Sequence, residues 1–168
     1  MKHSIIGLLF IFLLNFGGTS NTRCNGVDDN VLWLHADGTD ASTTFTDSAF
    51  TPQTITANGN AQIDTAQSKF GGASGLLDGT GDYLTAPDSA DWDLGTGSFT
   101  IDFWSRFPNL PVDGDFYILL AHYTPGAFGT DGSWDIEFFN VAGVYKIRLL
   151  TYVTVEHNVT KDWGGAAT

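Results

Sequence analysis

Apolar and β-branched residues in this chain come in short runs, each closed by a cluster of Gly, Asp, Asn or Pro. No run keeps a helical apolar period for more than about one turn, so the pattern favours strands. The acids point the same way: of 19 Asp and Glu, only Glu137 and Glu156 are glutamate. Glutamate suits helices, whereas aspartate suits caps and turns because its short carboxylate bonds nearby backbone N–H groups. With 20 Gly and a single Met, the fold class is all-β. Strands are expected at 31–35, 54–56, 61–63, 74–77, 83–85, 99–107, 116–123, 134–140 and 145–155, with 57–61 as a hairpin-like break. Spacing of this kind fits a sandwich or jelly roll.

At 168 residues, 42% hydrophobic and 14% aromatic, the chain can bury one sizeable core. Seven Lys and Arg against 19 acids leave a net charge of −12. A nucleic-acid partner is therefore not expected, and adhesion to an anionic membrane is disfavoured. Cys24 is the one cysteine, so no internal disulfide can form, and the four histidines lack metal-ligand spacing. The glycine-rich stretch 71–81 is followed by no Lys-Ser/Thr pair, which removes a phosphate loop.

The amino terminus differs from the rest. Lys2 precedes an apolar run from Ile5 to Leu14, then Gly17, Gly18, Thr19 and Ser20. That is the order of a secretory signal peptide, read here as residues 1–20, and the run falls short of the ~20 apolar residues of a membrane span. Residues 21–30 read as a linker and 31–168 as the folded domain. The protein is thus expected outside the cytoplasm, secreted or else on a cell surface or virion. Asn158-Val159-Thr160 is a glycosylation sequon, relevant in a eukaryotic secretory route.

The best-patterned strand runs from Ser98 to Phe107. Phe99, Ile101 and Phe103 fall on one face, assigned to the core; Thr100, Asp102, Trp104 and Arg106 fall on the other. A Trp between a carboxylate and a guanidinium suits a sugar, whose apolar ring face stacks on the indole while its hydroxyls meet the charges. Burial of this face under a loop or another strand is an equal reading. Trp134 joins Asp102, Trp104 and Arg106 as a ligand-binding candidate, with Tyr117, Tyr123 and Tyr152 as further stacking candidates. Asp135 and Glu137 share a strand face, but Phe139 and Asn140 follow where a third carboxylate would be sought, so no catalytic residue is assigned.

Trp33–Gly38, then 68–84 with Gly71, Gly72, Gly79 and Gly81, then 97–104 with Phe99, Ile101 and Phe103 together resemble three consecutive blocks of the laminin G-like, concanavalin A-like lectin/glucanase superfamily. The resemblance implies an antiparallel two-sheet jelly-roll sandwich, with Leu77 and Tyr83 entering the core. It also implies further strands after a loop like Asp162-Trp163-Gly164, so a chain ending at Thr168 is expected to be an incomplete sandwich. Several members of the superfamily bind one Ca²⁺ on a rim loop, and Asp37 and Asp40 offer hard oxygens in such a turn; an Asp-Gly turn also needs no metal. The function implied is a secreted, non-catalytic module binding a glycan or an extracellular protein. The alternative is a purely structural domain of an adhesin or phage tail; a glycoside hydrolase is the least supported.

Overall fold

The computed structural model describes residues 6–17, 30–94, 98–123, 133–152 and 157–162, the first and last of these segments as backbone alone. Two compact units emerge, Ile6–Pro108 and the chain from Asn109 onward. Among the described residues every strand pairing is antiparallel, and the only helical element is the short 3-10 turn Ala90–Trp92. The fold class is all-β.

The first unit holds β1 (Ile6–Gly17), β2 (Asn30–Leu34), β3 (Thr56–Asn58), β4 (Gln62–Asp64), β5 (Ser74–Asp78), β6 (Tyr83–Thr85) and β7 (Ser98–Arg106). The apolar run read as a secretory leader forms β1. It pairs with β7 from Leu8 to Gly17, while β2 and β5 pair with Phe12–Asn15 and Ile6–Leu9. β4 extends this sheet beyond β5, and β3 and β6 form a separate ladder.

Three sequence expectations are revised here, the first being that the strand expected at 54–56 forms two residues later, as β3. The Ala57–Ala61 break is no hairpin: β3 goes on to pair with β6 and β4 with β5, so the turn passes the chain from one sheet to another. Tyr83 lies 44% exposed, whereas Leu77 is buried as expected. Alternation along a three-residue strand is too short to decide which face is covered.

Strand β2 buries Asn30, Leu32 and Leu34 by period two. A core of Ala36, Phe45, Ile63 and Ala73 is flanked by Ile55, Ala57 and Leu84. Around it, buried aspartates organise the turns. Asp47 accepts N–H groups of Trp33 (2.8 Å) and Ala49 (3.0 Å) on Oδ1 and of Gln53 (2.7 Å) on Oδ2. Asp82 accepts from Asn60 (2.7 Å) and Asp78 (2.8 Å), joining two turns through one carboxylate. Backbone donors that a turn would leave without partners are satisfied this way.

The second unit is a meander of β8 (Phe116–His122), β9 (Ser133–Val141), β10 (Val144–Tyr152) and β11 (His157–Asp162), in the order β11-β10-β9-β8. Trp134, Ile136 and Phe138 point to one face of β9, and Ser133, Asp135, Glu137 and Phe139 to the other. β8 shifts register between Ile118 and Leu120, so the residues on either side of the bulge do not follow one alternation. Residues 153–155 of the expected last strand lie outside the described residues, as does Trp163. Among the described residues no helix is long and apolar enough to cross a membrane.

Candidate functional site

The polar face of β7 carries the first candidate site. Thr100, Asp102, Trp104 and Arg106 are all exposed, Trp104 by 46%, while Ile101 and Phe103 on the opposite face are half-buried. Phe99, assigned to the core with them, is 37% exposed and sits one residue from the start of the strand. Phe70, 49% exposed, meets Trp104 edge-on with ring centroids 6.0 Å apart. The Lys69 ammonium stands 4.2 Å above the Trp104 ring and 5.9 Å from that of Phe70. A cation over an indole face is attracted by the ring quadrupole, worth about 0.5–1 kcal/mol at an exposed site.

Lys69 and Phe70 escaped the sequence reading because they lie 34 positions or more from Trp104. Their only local signal is an exposed aromatic just before the Gly71-Gly72 pair. That turn lies against Asp37: a Cβ at Gly71 would come within 3.2 Å of the Asp37 Cβ. The proposed rim turn therefore neighbours the aromatic pair.

Asp37 and Asp40 are both exposed. Asp40 Oδ1 accepts from the backbone N–H of Thr65 at 3.0 Å and from its hydroxyl at 3.1 Å. Among the described residues no group of three or more His, Cys, Asp or Glu gathers at one point. Asp40 thus has a structural task in closing the turn onto Thr65.

The second candidate site lies in the other unit, on β9. Asp135 is fully buried and Glu137 is 3% exposed. Glu137 Oε2 receives Arg148 Nε and Nη2, each at 2.6 Å, a charge-assisted pair set by the direct cross-strand register of Arg148 on Glu137. The guanidinium also lies over Phe139, 4.6 Å from its ring centroid. Asp135 Oδ2 accepts the Tyr123 hydroxyl at 3.4 Å, and among the described residues its Oδ1 has no hydrogen-bond partner. Burial, followed by the charge on Glu137, pushes the Asp135 carboxyl up to about 6. Burial and then the nearby Asp135 raise both Tyr123 and Tyr152.

Of the remaining stacking candidates Tyr123 and Tyr152 are half-buried, and two are covered. Trp134 is 3% exposed with His122 beside it at 6.3 Å, and Tyr117 is 5% exposed. Of the ligand-binding candidates, β7 brings Asp102, Trp104 and Arg106 together, whereas Trp134 is buried in the other unit. No protein-family model, no curated protein and no solved structure matches this chain.

Proposed function

We propose that this protein is a secreted, non-catalytic recognition module that binds a glycan on the β7 face, with Trp104 and Phe70 as the stacking platform. One observation carries the reading: two large rings stand exposed edge to face, with Lys69 over one face of the indole and Asp102 and Arg106 two residues either side of Trp104 on the same strand face. Exposed indole and phenyl faces are what a pyranose stacks upon, and flanking charges suit its hydroxyls. The resemblance to the laminin G-like, concanavalin A-like superfamily belongs to the same proposal, including assembly of the sheets into a jelly-roll sandwich and export from the cytoplasm.

The acid pair of β9 supports a non-catalytic reading. A glycosidase needs two carboxyl groups reaching a substrate cleft, whereas Asp135 is fully buried and Glu137 is held by Arg148.

Glycan-array binding by the full chain, followed by titration of the best ligand, tests the proposal. Trp104→Ala is expected to weaken binding at least about tenfold, and Phe70→Ala less, in line with the ~1–3 kcal/mol carried by a stacking aromatic at an interface centre. Binding is expected to be the same in calcium and in chelator, since Asp40 Oδ1 is engaged by Thr65; a calcium requirement would assign Asp37 and Asp40 to a metal instead. Unchanged binding by Trp104→Ala, or no glycan bound at all, overturns the reading.

A further inference from the structure

Strand β9 places two carboxylates two residues apart on one buried face, and the neighbouring Arg148 guanidinium bonds Glu137 directly while acting on Asp135 only through space. Glu137 takes both Arg148 donors on a single oxygen. The groups facing Asp135 are Tyr123 from β8, Glu137 from β9 itself, and Arg148 and Tyr152 from β10. Tyr123 and Tyr152 offer it hydroxyls, Tyr123 on Oδ2, while among the described residues Oδ1 is sealed from water with no partner. An ionised carboxylate in that position is poorly solvated and stands beside a second negative charge, so the neutral acid is the form that fits.

We propose that Asp135, packed beside the Arg148-held Glu137, is a built-in pH sensor that holds the β8–β10 meander tight in acid and loosens it as the solution approaches neutrality. The direction follows from linkage. Asp135 is held near 6 against an ordinary 3.8, so the folded unit binds a proton that the unfolded chain releases. Its contribution is complete below about 3.8 and is lost as pH rises through about 6. The folding constant of this unit then falls on the order of tenfold to a hundredfold across the window.

Hydrogen exchange of the full-length chain, corrected for the intrinsic pH dependence of exchange and read on peptides covering Ser133–Val141, tests this. Wild-type protection is expected to fall by at least about tenfold between pH 4.5 and 7.5. Asp135→Asn, which keeps the shape and cannot ionise, is expected to abolish that change. Equal protection at both pH values in the wild type, or an undiminished change in Asp135→Asn, overturns the proposal. Should that variant fail to fold, carboxyl NMR titration of the wild type decides: an Asp135 midpoint near 6 supports the sensor, and one at or below 4 overturns it.

Discussion

Aspartate in this chain works mainly as a ligand for its own backbone. Asp47 serves three N–H groups and is 5% exposed, so Asp47→Ala strands three donors at once. We expect a loss of about 2–4 kcal/mol in urea unfolding. Asp82 performs the same service across the Gly59–Asn60 turn. At Gly59, φ is +71° and an added Cβ would run into Asp82 Oδ1 and lie 2.7 Å from the Gly81 carbonyl. Gly59→Ala is therefore expected to cost about 2 kcal/mol or more, measured the same way, because strain and collision add. Asp78 is held below the usual carboxylate range, first by the Asn60 side chain and then by the Thr80 N–H. Its contribution is present above the ordinary 3.8 and fades as pH falls. Asp78→Asn should flatten the acid side of the first unit's stability profile, the opposite sense to Asp135.

Among the elements, the β9–β10 hairpin has a two-residue loop with both central residues left-handed, Ala142 at φ +54° and Gly143 at +79°. Alanine is ill suited to that region, and its N–H donates to Asp113 Oδ1. Ala142→Asn retains this donor and relieves the strain, so thermal unfolding should show a gain of about 0.5–1 kcal/mol. The tight turn is hidden in the sequence because Ala-Gly is not an Asn-Gly signal, although the strand ends that flank it, expected at 140 and 145, fall within a residue of those observed. Strand positions are legible where long β-branched and aromatic runs meet turn clusters, as at β2, β7 and β9, but not at Thr54–Thr56, and the polar face of β7 is legible from period two alone. Pairing register is not. It sets Arg148 against Glu137 and sends β3 to β6, and both depend on contacts far apart in the chain. Lys69 and Phe70 were missed for the same reason: nothing local to them names Trp104 as the neighbour.

At the scale of the molecule, the charge of −12 looks different once the carboxylates have partners. Asp40, Asp47, Asp78 and Asp82 hold turns, and Glu137 holds an arginine, so much of the acidity is construction material for an all-β chain lacking a disulfide. The amino-terminal strand carries a heavier consequence. Twelve residues form β1, along which β2, β5 and β7 all align, and the same residues read as an export address. A translocon engages such a stretch while it is still free, whereas a sheet sequesters it. Under the proposed export, the two fates would compete for one segment. Mass spectrometry of the mature amino terminus, paired with exchange of β7 amides, would expose the race: chains cut near Ser20 should lose β7 protection, and uncut chains should keep it. Equal protection in both populations would mean that β7 holds its place without β1.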